Sequence, residues 1–224
     1  MRYYPINLDV TGKTVVIVGG GAVAARKAQR LVAAGALVRV VAPALDDRLA
    51  ALAADGSLVH LPRAYRLGDL EGALLAFAAT DAAEVNRAVA AEARERGVLV
   101  DLVAAPREGD FTTPALLCRG DLLITASTSG ASPGLSRRII EELEPLFGAE
   151  YAKSVTLLAH AREKLLTEKG GNAYNERVFA ALAALDLPEL LKKGQTEALD
   201  QILLRLSESV AQPGPDELNK KDPS

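Results

Sequence analysis

The sequence has very little of the residue types that build disulfide frameworks and zinc sites. Its 224 residues include one cysteine, Cys118, no tryptophan, and only two histidines, His60 and His160. A single cysteine cannot form an internal disulfide, and two histidines far apart in sequence do not form a local zinc motif. The composition therefore excludes a disulfide-built scaffold, predicts no metal site and fits a reducing, cytoplasmic setting.

An excess of positive charge is also absent. The 26 Lys and Arg residues are outnumbered by 29 Asp and Glu residues, which gives a net charge of −3. No broad basic surface therefore favours nucleic acid or an anionic membrane. The N-terminal residues lack the apolar core of a signal peptide, and every long apolar run is interrupted by charges or breakers. We expect a cytoplasmic protein without nucleic-acid or membrane partners.

What the sequence does contain is an apolar strand that runs directly into a glycine-rich turn. Residues 15–24 read Val-Val-Ile-Val-Gly-Gly-Gly-Ala-Val-Ala. As G-x-G-x-x-A, this pattern is typical of a dinucleotide-binding turn: Gly19 allows the tight turn, Gly21 lets the backbone approach a pyrophosphate, and Ala24 packs closely on the strand. A glycine triplet alone can be an ordinary turn, but here strand, turn and helix agree.

The predicted cofactor site combines this turn with two neighbouring loops. Unpaired N–H groups at the start of the first helix would hold phosphate without a basic side chain. The end of the second strand lacks both the acidic residue that usually binds the adenosine ribose and a well-placed arginine, so NAD and NADP are not distinguished there. Thr80, at the end of the fourth strand, fits a cofactor contact and a helix cap equally well. The predicted cofactor-binding residues are Gly19, Gly20, Gly21, Ala22, Val23, Ala42, Pro43, Ala44 and Thr80.

Strand and helix patterns alternate over the first half of the chain. The patterns predict strands at 14–18, 37–42, 58–61, 74–79 and 98–103, and helices at 22–34, 45–54 and 84–96. This alternation predicts right-handed crossovers and an α/β fold, a Rossmann-like doubly wound parallel sheet with the first strand at its centre. Val23 and Leu31 are expected to face the core, and Asp46 and Asp47 are interpreted as the first turn of the second helix.

The pattern changes after Pro106. It predicts a strand over 122–127 and then a helix that starts at Ser132-Pro133. That helix has an apolar stripe that requires a partner surface, formed by Leu135, Ile139, Ile140, Leu143 and Leu146. The predicted organisation is a Rossmann domain over 1–113, a separate segment over 114–148, a helical domain over 149–211 and a disordered tail over 212–224.

Several short motifs together resemble a known family. They are Gly-Gly-Gly-Ala-Val-Ala-Ala-Arg-Lys at 19–27, Ala-Ala-Thr-Asp at 78–81 with Val85-Asn86, Ala105-Pro106, Phe111 with Pro114, and Thr128-Ser129-Gly130 with Ser132-Pro133. Over about residues 1–150 the chain resembles the precorrin-2 dehydrogenase family, which includes the N-terminal part of bifunctional siroheme synthases. The resemblance implies NAD-dependent oxidation of precorrin-2 to sirohydrochlorin, in some members with ferrous iron insertion to give siroheme. It also implies a homodimer with 114–148 as the dimerisation region, and a diphosphate site at Gly21, Ala22 and Val23.

One departure from the family bears on catalysis. The resemblance implies an aspartate with a general-base or metal-handling role two residues before Pro106, but this chain has Ala104 there. A carboxylate can take the proton lost as hydride leaves, and alanine cannot. Asp101 is the candidate catalytic residue, although residues 101 and 104 of an extended strand face opposite sides unless a turn or bulge intervenes. Its other interpretation is a strand-end acid that hydrogen-bonds backbone or caps a loop.

Other assignments stay open from the sequence. Arg26 and Lys27 lie too far into the first helix for phosphate binding to be favoured, so a solvated or structural role is expected. A multiply carboxylated substrate requires positioned arginines, for which the candidates are Arg107, Arg119, Arg137 and Arg138. Two other functions compete with the dehydrogenase: a catalytically impaired NAD- or tetrapyrrole-binding carrier or regulator, and a Rossmann dehydrogenase for another substrate. Chelatase activity, and whether the product goes to siroheme or to another tetrapyrrole, are not decided.

Overall fold

The computed structural model describes residues 2–167 and 186–194. Their backbone forms two compact units: residues up to Pro114 together with Thr128–Ser132, and Ala115–Ser127 together with residues from Pro133 onward. Over the described ranges, no helix is long and apolar enough to cross a membrane. The predicted tail over 212–224 and the parts of the predicted helical domain at 168–185 and 195–211 lie outside the described residues.

The first unit is built on one parallel sheet. Its strands are β1 (Thr14–Val18), β2 (Leu37–Val41), β3 (Leu58–Leu61), β4 (Leu75–Ala78) and β5 (Leu99–Leu102). They lie in the order β3-β2-β1-β4-β5, with Ile17 of β1 paired to Val40 on one side and to Phe77 on the other. The predicted Rossmann-like sheet with the first strand at its centre is confirmed.

Helices cover both faces of this sheet. They are α1 (Ala22–Ala33), α2 (Asp47–Ala54) and α3 (Ala83–Arg96). The alanine-rich side of α1 packs with Leu49 of α2 around Ile17 and Phe77. The buried side of α3 packs on the opposite face around Val16 and Val100. Small alanine side chains let the helices approach the strands closely, so each β-branched strand residue is covered on its own face.

Two details of the helices refine the predictions. The pattern predicts that Val23 faces the core, but its side chain is 37% exposed. This prediction is wrong because Val23 lies in the first turn of α1, beside the glycine turn rather than over the sheet. The second helix begins at Asp47 rather than Leu45, because the Asp46 carboxylate accepts the N–H of Arg48 and caps it. The interpretation of these acids as a helix start is confirmed.

Described residues 62–74, between β3 and β4, cross the sheet without a helix, and two carboxylates hold them in place. Arg63 donates to both oxygens of Asp69, at 2.8 and 2.6 Å, and the N–H of Arg66 donates to Asp69 at 2.8 Å. A carboxylate held by a two-pronged guanidinium and a backbone N–H is a strong local fixation. Asp69 therefore replaces part of the packing that a crossover helix would supply.

The second carboxylate is Glu92 of α3, which is 1% exposed. It accepts the N–H of Gly68 at 3.0 Å and the hydroxyl of Tyr65, and it pairs with Arg96 at 2.7 Å. Burial, and then the contact with Glu92, raise the pKa of the Tyr65 phenol, so that it stays a proton donor. Glu92 thus ties α3 to the crossover on the same face of the sheet.

Asp69 predicts a measurable pH dependence of stability. The Arg63 guanidinium holds the pKa of Asp69 below its ordinary value of 3.8. A lowered folded-state pKa contributes stability above the unfolded-state pKa, and this contribution is lost as the pH falls through the folded-state pKa. We expect Asp69→Asn to lower the free energy of unfolding by about 1–3 kcal/mol near neutral pH, and by less near about pH 3.

Urea denaturation of both proteins at the two pH values measures this difference. The control is Glu71→Gln, which removes an exposed acid from the same segment. This control should match the wild type at both pH values. If Asp69→Asn lowers the free energy of unfolding as much in acid as near neutral pH, the assigned role of the Asp69–Arg63 pair is contradicted.

The second unit contains a hairpin and helices. Its elements are β6 (Ala115–Arg119), β7 (Leu122–Ala126), α4 (Pro133–Leu143), a 3-10 turn (Glu144–Leu146), α5 (Glu150–Thr167) and α6 (Leu187–Lys192). β6 pairs antiparallel with β7, although the sequence pattern predicts only the second strand. The connection is a two-residue turn in which Gly120 has a φ of +59°, a conformation that suits a tight hairpin.

The apolar stripe of α4 is only partly covered within this unit. Ile140 is buried, at 8% exposure, and α4 packs on the hairpin. Leu135 is 50%, Ile139 36% and Leu146 65% exposed. Leu146 lies in the 3-10 turn that follows α4, and exposed large apolar residues that are grouped on neighbouring elements often mark an interaction surface.

Candidate functional site

The glycine turn lies between β1 and α1, at the edge where the parallel strands end. Gly19 has a φ of +125°, which favours glycine, and a Cβ there would collide with the carbonyl oxygen of Ala79 after β4. A Cβ at Gly20 would collide with the carbonyl oxygen of Ala44 after β2. The first two glycines are therefore required because the turn packs directly against both neighbouring loops.

The structure of the protein alone does not require glycine at position 21. Its φ of −87° and ψ of −175° suit any residue, and a Cβ there would meet no protein atom within 4 Å. Gly21, Ala22 and Val23 are exposed, and no side chain of the described residues caps this end of α1. Open space over uncapped backbone N–H groups fits a dinucleotide diphosphate, because the helix amino end carries partial positive charge.

The loop after β2 is held against the glycine turn. The N–H of Asp46 donates to the carbonyl of Gly20 at 2.7 Å, and His60 Nε2 donates to the carbonyl of Ala42 at 2.9 Å. Pro43 and Ala44 between them are exposed. The loop after β2, with its predicted cofactor-binding residues, thus lies beside the predicted diphosphate site, and the individual contacts of these residues stay predictions.

Thr80 follows β4 and is fixed by an amide that the sequence marks only as part of a motif. Its hydroxyl lies 2.8 Å from Asn86 Oδ1 and accepts the N–H of Ala82 at 3.2 Å. Asn86 Nδ2 donates to the carbonyl of Thr80 at 2.8 Å, and Asn86 is 8% exposed. The N-cap of α3 is Ala82, without a side-chain cap, so Thr80 holds the turn before the helix and is not its cap. Its contact with the cofactor stays a prediction. Asn86 lies in the first turn of α3, the helix that follows β4. An amide at such a position is the signal that could have identified it.

The structure separates the two positions that bear on catalysis. β5 ends at Leu102, and a turn at Val103 and Ala104 follows, which leaves Ala104 exposed. Asp101 is 4% exposed and its Oδ2 lies 2.7 Å from Lys27 Nζ. The Asp101 carboxylate is therefore buried in an ion pair, whereas Ala104 faces solvent. Its catalytic role stays a prediction.

Comparison with known proteins places this geometry in a family. A family model described as NAD(P)-binding matches residues 6–115. The siroheme synthase of Chromobacterium violaceum is 46% identical over 153 residues, which are 68% of this chain and 33% of that protein. The siroheme synthase of Methylobacillus flagellatus is 36% identical over 202 residues, 88% of this chain and 42% of that protein. A solved structure of SirC, precorrin-2 dehydrogenase, has 27% identity and a TM-score of 0.71, covering 89% of this chain and 98% of that one. These matches confirm the resemblance to the siroheme synthase N-terminal family.

The family match confirms three of the sequence predictions: the resemblance itself, the Rossmann-like fold and the NAD cofactor, the last at the level of the NAD(P) class. The chain spans less than half the length of the two siroheme synthases, at 33% and 42%. The activities of the complete relatives are therefore only proposed for this chain.

The candidate substrate arginines differ in their contacts. Arg119 donates to the carbonyl of Phe147 at 2.8 Å and pairs with Glu144 at 3.2 Å. Arg138 pairs with Glu142 at 2.7 Å, and Arg107 and Arg137 are exposed. Their contact with substrate stays a prediction. The described residues contain no group of three or more His, Cys, Asp or Glu side chains placed to hold a metal ion.

Proposed function

We propose that this chain is an NAD-dependent dehydrogenase that oxidises precorrin-2 to sirohydrochlorin in siroheme biosynthesis. The observation that carries the proposal is the open amino end of α1 at Gly21, placed in an NAD(P)-binding domain. Two comparisons give the substrate: the relatives are siroheme synthases, and the similar solved structure is a precorrin-2 dehydrogenase. The class of cofactor and the family of the chain thus lead to the same reaction.

Two parts of the chain would bind the cofactor. Backbone N–H groups at Gly21, Ala22 and Val23 would hold the diphosphate, and Pro43 and Ala44 would lie beside the adenosine. Bound NAD supplies a hydride acceptor. Oxidation of precorrin-2 also releases a proton, and Ala104 has no group to receive it, so another nearby group or water takes it.

The direct test is turnover of the purified protein with precorrin-2 and NAD. NADH and sirohydrochlorin should appear together in equal amounts, and replacement of NAD by NADP shows which coenzyme is preferred. A buffer control and a reaction without precorrin-2 set the background. Formation of NADH no faster than in these controls would reject the dehydrogenase proposal.

A second candidate function is a carrier or regulator that binds NAD or tetrapyrrole without catalysis. The observation that favours it is Ala104, exposed in the turn after β5, where the family resemblance implies an aspartate. Ala104→Asp separates the two functions. An inactive wild type whose Ala104→Asp variant gains about a hundredfold or more in rate would indicate an impaired enzyme. An active wild type with little change in the variant supports the dehydrogenase and shows that the carboxylate is dispensable.

We further infer a cytoplasmic homodimer that forms through the region 114–148. The partly exposed Leu123, Leu135, Ile139 and Leu146 support this, since a second copy would remove them from water. Ferrous iron insertion is not part of the proposal, because the family aspartate is absent at position 104.

Dimer formation through α4 predicts a defined effect of one charge. Ile139→Glu should convert the dimer to a monomer, because a buried unpaired carboxylate is strongly disfavoured in an apolar interface. Sedimentation equilibrium measures the mass of both proteins. Glu141→Gln, an exposed change on the same helix, is the control and should remain dimeric. A wild type that sediments as a monomer would remove the homodimer from the proposal.

A further inference from the structure

The ammonium group of Lys27 is buried in the first unit, where α1 meets β4, β5 and residue 113. Lys27 Nζ of α1 donates to Asp101 Oδ2 of β5 at 2.7 Å and to Thr113 Oγ1 at 2.9 Å. It also lies 4.6 Å from the centroid of the Phe77 ring of β4. Lys27 is 9% and Asp101 4% exposed. We call these four residues the Lys27 cluster.

The cluster anchors the segment 103–113, which carries position 104. This segment leaves β5 directly after Asp101 and Leu102, and it returns to α1 at Thr113. Near its end, the ring of Phe111 packs edge-on against Phe77, with 5.4 Å between the ring centroids. Both ends of the segment are therefore held by contacts that converge on one ammonium group.

The same ammonium group belongs to the helix that starts at the glycine turn. A charge buried away from water is tolerated when an opposite charge and hydrogen bonds compensate it. Here Lys27 compensates Asp101, and Thr113 takes a second donor of the ammonium. Asp101 is thus buried and already paired with a cation, which favours a structural role over receipt of a substrate proton.

We infer that Lys27 and Asp101 are positioning residues, whose ion pair sets the cofactor-binding helix α1 against segment 103–113. The inference rests on the proposed dehydrogenase function and gives Asp101 a role other than the predicted proton acceptor. Its distinctive consequence concerns charge balance. Neutralising only one partner leaves the other as an uncompensated buried charge, which disfavours the contact between α1 and segment 103–113. Neutralising both partners leaves no buried charge.

Three variants test this consequence: Lys27→Met, Asp101→Asn and the double variant. NADH affinity is followed by nicotinamide fluorescence, and kcat and KM for precorrin-2 are measured across pH. Each single variant should weaken NADH binding by about tenfold and raise the KM. The double variant should return to within about threefold of wild type, with an unchanged pH profile of kcat.

The matched control is Asp110→Asn. Asp110 accepts the N–H of Val100 at 2.9 Å on the same segment, and an asparagine oxygen can accept it as well, so NADH binding should stay unchanged. If a single variant fails to fold, recovery of NADH binding in the double variant still supports the inference.

Either of two results would overturn the positioning role. One is a double variant that binds NADH normally but has lost kcat together with the acidic limb of its pH profile, which would make Asp101 a proton acceptor. The other is a simple sum of the two single effects on NADH binding. A wild type that binds NADH but does not oxidise precorrin-2 would reject the proposed function alone, because the NADH affinities would still test the coupling.

Discussion

Replacement of Gly21 by alanine is expected to remove NAD binding while the protein stays folded. The new Cβ would meet no protein atom, but it would occupy the open space over the amino end of α1. We expect NAD affinity to fall about a hundredfold, which corresponds to about 2.7 kcal/mol. The free energy of unfolding should change by no more than about 1 kcal/mol, because alanine is a poorer residue than glycine at a helix N-cap. Calorimetric titration and urea denaturation measure the two quantities.

The matched variant is Gly19→Ala, two residues earlier. There the positive φ disfavours a side chain and the Cβ would collide with the carbonyl of Ala79. We expect a loss of about 3 kcal/mol or more in unfolding free energy, with NAD binding lost as a result. Gly134→Ala in α4, where a Cβ also meets nothing, should leave NAD binding unchanged and raise the free energy of unfolding by no more than about 1 kcal/mol. Equal destabilisation by Gly19→Ala and Gly21→Ala would contradict the distinct roles assigned to the two glycines.

The second large effect is expected at Glu92, the buried carboxylate that joins α3 to the crossover. Glu92→Ala would leave the N–H of Gly68, the hydroxyl of Tyr65 and the Arg96 guanidinium without their acceptor. Removal of one partner from a buried charged network costs about 3–5 kcal/mol. The measurement is urea denaturation with tyrosine fluorescence as the signal.

Two further variants identify the cause of that loss. Glu92→Gln keeps an amide oxygen that can accept the N–H of Gly68, so its loss should be smaller, about 1–2 kcal/mol. Glu95→Ala, an exposed change on the same helix, should stay within about 0.5 kcal/mol of wild type. A Glu92→Ala protein as stable as this control would show that residues 62–74 are held by apolar packing instead.

The central sheet and the cofactor turn could be predicted because their signals are local. A β-branched run at 14–18 predicts a strand buried on both faces, and the glycines after it require a turn. The contact between Lys27 and Asp101 could not be predicted in this way. The two residues are separated in sequence by most of the first unit. They meet only because the Asp101 side chain lies on the face of the sheet that α1 covers.

Two other features were not predicted correctly from the sequence pattern. Val23 reads as a core position because its spacing matches the helix period, but periodicity does not say where a helix leaves the sheet. Residues 62–74 have no helical period because their fixation comes from Asp69 and Glu92, and such polar contacts leave no repeat in the sequence. Position 104 is the opposite case, since its alanine is plain in the sequence and the structure adds its exposure in the turn after β5.

The contact between Gly20 and the loop after β2 limits how the coenzyme preference of this chain could be changed. The carbonyl of Ala44 fills the volume next to Gly20, and the N–H of Asp46 is bonded to the carbonyl of Gly20. Grafting a foreign ribose-recognition loop between residues 42 and 46 would therefore disturb the glycine turn at residues 19–21 as well. A change of coenzyme preference calls for transplanting both segments as a single cassette.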